Sequence, residues 1–142
     1  DAANVTLLEA DAVAWAKAYR GPGFDLIIDD LFGEQGGQPL RAVAADSGWM
    51  STLAAHLNPG GALVMNFDCQ AGLHGCGYFA DAALRQRFHS AFQLRTPLYE
   101  NHIGAFLQQP CQRRDLYDEL QGYPQLDTRN KTCRLNFSLS AL

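Results

Sequence analysis

The chain has 142 residues, of which 47% are apolar and 18% charged, the size of one domain with enough apolar material to bury a core. Its 11 Lys and Arg against 15 Asp and Glu give a net charge of −4 with no basic cluster, so neither nucleic acid nor an anionic membrane surface is expected as a partner. No apolar run reaches the roughly 20 residues a membrane-spanning helix needs, and Asp1-Ala2-Ala3-Asn4 lacks the basic and apolar regions of a signal peptide, so a cytoplasmic setting is expected.

Residues 5–9 (VTLLE) predict a strand, and Asp11 then leads into an alanine-rich helical segment carrying Val13, Trp15, Ala16 and Tyr19. Arg20-Gly21-Pro22-Gly23 breaks that helix. Residues 24–28 (FDLII) follow as a second strand ending in Asp29-Asp30, and such a continuous apolar run belongs in a sheet covered on both faces. Residues 31–39 (LFGEQGGQP) read as a long mobile loop. Met50, Leu53, Ala54 and Leu57 recur at helical spacing until Asn58-Pro59-Gly60-Gly61 stops them, and residues 62–67 (ALVMNF) form the third strand.

The four cysteines, Cys69, Cys76, Cys111 and Cys133, form no CxxC pair and read as reduced thiols. Cys69, His74 and Cys76 share the stretch CQAGLHGCG, which would bend around a metal. A closed zinc site takes four ligands and no fourth stands nearby, so a flexible loop and no metal are expected. Phe79, Ala83, Leu84 and Phe88 mark another helix, residues 92–99 and 102–108 an antiparallel hairpin turning at Glu100-Asn101, residues 114–120 a short helix, and residues 133–139 a last strand. With no repeat or linker, residues 1–142 form one domain: an α/β fold with a mostly parallel sheet, helices on both faces and a C-terminal antiparallel hairpin. Ligands of such sheets gather at the carboxyl ends of the strands, which here carry Asp11, Asp29-Asp30 and Asn66-Phe67-Asp68.

The series LLEADAVAWAKA, FDLIIDDLF and LNPGGALVMNF resembles the later motifs of class I, Rossmann-like S-adenosylmethionine-dependent transferases. The segment RFHSAFQLRTPLYENHIGAFLQQP is similar to the C-terminal part of the spermidine and spermine synthases, so the resemblance spans roughly residues 4–109 and rests on order and spacing more than on any single motif. It implies transfer of an aminopropyl group from decarboxylated S-adenosylmethionine to an amine, or methyl transfer from S-adenosylmethionine, without a metal. Asp11, with Ala12 beside it, matches the position that hydrogen-bonds the cofactor's adenine, although an Asp before a helix is also what an N-cap requires. Asp30 matches the aspartate that contacts the donor and acts on the attacking amine, where a carboxylate takes the ammonium proton and complements the reactants' positive charge. A plain solvated Asp opening a loop is the alternative for Asp30. Asp29 points to the opposite side of the strand, so both cannot serve equally.

The chain departs from the synthase pattern in two places. Leu31-Phe32-Gly33-Glu34 stands where those enzymes carry Ser or Thr and then Asp-Pro, and Tyr99-Glu100-Asn101-His102 where a Tyr-Pro-Ser-Gly stretch is common, so the acceptor amine is not transferable. The D/N-P-P-Y/F signature of adenine amino-methylation is also missing after the second strand. No G-x-G-x-x-G turn follows a strand anywhere in the 142 residues, so the glycine-rich βαβ part that holds the cofactor's amino-acid end is absent from them. Three expectations compete: a C-terminal portion of a longer enzyme, a remnant that pairs residues 5–9 with the second strand, or a sheet completed by another chain as a homo-oligomer. The functional expectation is therefore a spermidine synthase-like transferase domain that alone binds its cofactor weakly or not at all and is inactive without the glycine-rich part. A methyltransferase, a non-catalytic interaction module and a metal-binding module at Cys69, His74 and Cys76 are the alternatives.

Overall fold

The computed structural model describes residues 4–127, 129, 130, 133 and 135–142. In chain order these form α1 (Ala12–Ala18), β1 (Phe24–Asp29), β2 (Phe32–Gln35), β3 (Gln38–Arg41), α2 (Ser47–Ala55), β4 (Leu57–Phe67), α3 (Gln70–His74), α4 (Gly77–Ala80), α5 (Ala82–Arg87), β5 (Ser90–Arg95), β6 (His102–Leu107), α6 (Arg113–Gln121) and β7 (Ser138–Ala141). Five strands pair in the order β1-β4-β6-β5-β7. Only the β1–β4 pairing is parallel, whereas β4–β6, β5–β6 and β5–β7 are antiparallel. The sheet is thus mixed, not mostly parallel: after the single βαβ crossover through α2, the chain returns by a hairpin, and a hairpin can add only antiparallel neighbours.

Alternation along β4 divides the molecule. Leu63, Met65 and Phe67 are fully buried against α2, α3 and α5, together with Phe88 and Phe106. The opposite face carries a smaller core in which Phe92, Phe137 and Leu139 pack under Leu116 and Leu120 of α6. Helices therefore lie on both faces, but the second layer covers only the β5–β7 end. At the other end β1 is an edge strand whose Leu26 is 52% and Ile28 67% exposed, so among the described residues only one face of this strand is covered, not the expected two.

Residues 5–9 form no strand, and Leu7 is 89% exposed. β propensity alone does not hold an extended segment, which needs a ladder of hydrogen bonds to a neighbour. The next element, α1, is well anchored: its Trp15 ring lies tilted against Tyr19 with centroids 4.7 Å apart, Tyr19 stacks on Phe24 at 5.1 Å, and His56 Nε2 bonds the Ala16 carbonyl at 2.7 Å. These contacts pin α1 to the amino end of β1.

The stretch expected as a mobile loop is a second, two-stranded sheet of β2 and β3. Gly36 and Gly37 take φ of +61° and +80°, the double positive φ of a two-residue turn matched to strand twist. β4 begins at Leu57, not after the glycines, because the register with β1 shifts between Phe24 and Leu26 and carries Pro59-Gly60-Gly61 as an irregularity within the strand. The stretch after Cys69 is helical instead of a loop: Cys69 Sγ accepts from Gly72 N at 3.4 Å at the start of α3. β5 and β6 form the expected antiparallel pair, but β5 ends at Arg95, so residues 96–101 connect them in place of the short Glu100-Asn101 turn; α6 is the expected helix, the last strand starts at Ser138, later than read from the sequence, and residue 134 of that reading lies outside the described residues.

Gly77 sets how closely α4 meets the start of α2. A Cβ there would stand 2.5 Å from Ser47 N and 2.7 Å from Asp46 C, both backbone atoms with no freedom to rotate away. Gly77→Ala is expected to cost about 1–3 kcal/mol through this overpacking, read as a lower urea midpoint at unchanged slope.

Candidate functional site

The carboxyl ends of β1 and β4 lie side by side, and consecutive aspartates at the end of β1 take opposite roles. Asp29 is 4% exposed and faces the larger core. Its Oδ2 accepts from Trp49 Nε1 at 2.7 Å and from Arg41 Nη2 at 2.8 Å, and its Oδ1 from Leu31 N at 3.2 Å. Arg41, at the end of β3, also donates to the carbonyls of Val43 and Asn66 and lies 5.3 Å from the centroid of the Phe67 ring. Asp29 is committed to holding β1, the β2–β3 hairpin, α2 and β4 together.

Asp30 is exposed on the other face, the division anticipated from strand alternation. Its Oδ1 accepts from Asn66 Nδ2 at 2.8 Å, and Asn66 Oδ1 accepts from Asn101 Nδ2 at 3.1 Å. One carboxylate and two amides thus form a chain across β1, β4 and the β5–β6 connection. Asn66 and Asn101 also line a cavity of about 470 Å³ between the sheet, that connection and the segment from α6 to β7.

Asp11 is the N-cap of α1, its Oδ1 accepting from Ala14 N at 2.7 Å, and Ala12 is half-buried as the first helical residue. This is the capping geometry that the sequence allowed. Asp11 and Asp30 share no hydrogen-bond partner among the described residues. Arg41, Trp49 and Asn101 were not read from the sequence as members of this region. Nothing local marks them, since each arrives from an element whose placement depends on the hairpin turns.

Cys76 is buried, and burial pushes its thiol above the ordinary value of 9.0, so it stays protonated and poorly nucleophilic. Cys69 is exposed at the helix start, and among the described residues no group of three His, Cys, Asp or Glu side chains is placed to hold a metal ion. Nor is any helix among them long and apolar enough to cross a membrane. His102 opens β6 beside Phe67, 5% exposed, with Nδ1 against Gln93 Nε2. Burial first, then the charges of Arg95 and His74, hold the His102 pKa below its ordinary 6.5.

Comparison of the chain with sequence models of protein families, with curated proteins and with solved structures returned no match.

Two measurements probe this region. Asp29→Asn strands the Arg41 guanidinium without its counter-charge and is expected to cost about 3–5 kcal/mol, whereas the pair Asp29→Asn with Arg41→Met should recover a large part of it; a double-mutant cycle by urea denaturation reads both. For His102 the folded state resists protonation that the unfolded chain accepts, so its contribution is complete above pH 6.5 and declines as pH falls from 6.5 toward the depressed folded value. His102→Asn should flatten the stability profile in that window.

Proposed function

We propose that this chain is the acceptor-side part of a Rossmann-like, S-adenosylmethionine-type transferase domain, with Asp30 as the carboxylate that receives the attacking amine. The observation that carries this reading is the exposed Asp30 carboxylate, held 2.8 Å from Asn66 at the adjoining carboxyl ends of two parallel strands, next to a cavity. The α/β layering and the hairpin after the parallel pair support it as well. The donor would supply a carbon made electrophilic by its sulfonium. Asp30 would accept the ammonium proton at a carboxylate oxygen and keep the freed amine in place. Asp11 and Ala12, at the start of α1, would meet the adenine edge, which requires the Asp11 carboxylate to serve a ligand with the lone pairs its capping bond leaves free. The residues do not fit the amino-acid end of the donor, because no G-x-G-x-x-G turn leads from a strand into a helix in this sequence.

Titration with methylthioadenosine, followed by amide chemical shifts, tests the placement. Millimolar binding that perturbs Asp11, Ala12, Asp30 and Asn66 supports it, and shifts confined to other regions refute it. Micromolar affinity would show that a glycine-rich turn is not needed. In a longer enzyme that joins this chain to a glycine-rich cofactor-binding part, with decarboxylated S-adenosylmethionine and an amine supplied, Asp30→Asn should lower the transfer rate at least tenfold while leaving methylthioadenosine affinity unchanged, as expected for a charge-assisted contact worth about 1.5–3 kcal/mol. Methyl transfer from S-adenosylmethionine, unaffected by that substitution, would favour a methyltransferase acting on an already uncharged nucleophile.

A second reading, an interaction module, is favoured by the open edge of β1 together with exposed Leu26, Ile28, Val5, Leu7 and Leu8. Unpaired strand edges recruit strands. Light scattering on a size-exclusion column decides its homo-oligomeric form: a dimer that dissociates on Ile28→Lys supports it, and a monomer at high concentration removes it.

A further inference from the structure

We infer that the cavity beneath the β5–β6 connection takes a monocarboxylate with an apolar tail, its head at Arg95, an inference independent of the transferase reading. Two adjoining hollows build the site. The larger, about 470 Å³, has the volume of small-molecule sites, which commonly measure about 300–1,000 Å³. Leu94, Ile103, Leu120, Leu126, Leu135 and Phe137 make its walls apolar. The smaller, about 330 Å³, is lined by Arg95, Thr96, Pro97, Asn136, Phe137 and Ser138. Arg95, Thr96 and Phe137 belong to both, so the apolar hollow meets the polar one at the end of β5.

Charge then selects the head group. Arg95 is the one charged residue lining either hollow, and no Asp or Glu lines them. Among the described residues no hydrogen bond or ion pair engages the Arg95 guanidinium, the Thr96 and Ser138 hydroxyls or the Asn136 amide. A guanidinium binds a carboxylate through two parallel N–H donors, and the hydroxyls and the amide add further donors around it. Acids of the surrounding elements do not compete. Asp127, next to Leu126 of the wall, is held by Arg129 at 2.8 Å. Asp30 lies beyond the end of β1, three strand spacings from β5 in the sheet, roughly 14 Å at the usual separation. That exceeds the screening length of about 8 Å at physiological salt. The charge of Arg95 also reaches His102, but burial holds that base neutral, so it offers no counter-charge. At the far side of the larger hollow Asn66 and Asn101 are bonded to each other and carry no charge that would draw a second ionic head.

Calorimetric titration of the whole chain with hexanoate, hexanol, hexylamine and acetate tests the inference. Hexanoate should bind at least tenfold tighter than hexanol or hexylamine, which lack the anionic head, and at least tenfold tighter than acetate, which lacks the tail. Affinity should rise about twofold per methylene from butanoate to octanoate, less than the roughly fourfold of full burial, because the larger hollow is open to solvent on one side. Amide chemical shifts on adding hexanoate should change at Arg95, Thr96, Ile103 and Phe137. Arg95→Met, an exposed substitution that keeps an apolar stem, should bring hexanoate down to the affinity of hexanol, whereas Arg95→Lys should retain the preference for the acid. Equal or tighter binding of hexylamine or hexanol, no hexanoate binding at millimolar concentration, shifts confined to other regions, or an Arg95→Met variant that still prefers hexanoate overturns it.

Discussion

The buried carboxylate of Asp29 is the constraint on which the site depends. It takes hydrogen bonds from Trp49 of α2, from Arg41 at the end of β3 and from the Leu31 amide, joining three elements at one strand end. A buried ion pair of this kind is seldom a large net source of stability, because desolvation offsets much of the attraction. Its effect is to secure position. With each partner committed, α2, β1 and the hairpin have one relative arrangement that leaves no uncompensated charge.

That arrangement divides the labour of Asp29 and Asp30. Successive residues of an extended chain face opposite sides, so anchoring Asp29 in the larger core delivers Asp30 to the other face, where Asn66 meets it. Arg41 reinforces the geometry by binding the Asn66 carbonyl as well as Asp29. The exposed carboxylate is thus positioned from behind by a buried one, and a reactive group is better held by a packed, hydrogen-bonded support than by its own solvent-facing contacts.

The two ends of the sheet differ in a way that bears on both functional readings. At β5 and β7 the second face is closed by α6, and the gap left beneath the hairpin connection is the apolar cavity. At β1, among the described residues, that face is bare and the outer backbone edge unpaired, with Leu26 and Ile28 exposed.

Strong local signals determined much of this in the sequence: the stripe of Met50, Leu53 and Ala54 made α2, the apolar run of 62–67 most of β4, and the flanking patterns the β5–β6 hairpin. An Asp ahead of alanines made a capped helix start. Gly36-Gly37 was legible as a hairpin turn, yet glycine content alone had suggested a loop, because the flanking strands are too short to show alternation. Only the tertiary structure decided that residues 5–9 stay unpaired, that the sheet is mixed, and that Arg41, Trp49 and Asn101 converge on the aspartates. Propensity and periodicity are properties of neighbours along the chain. Pairing partners, burial of a charge and the walls of a cavity arise from residues far apart in it, and nothing local encodes them.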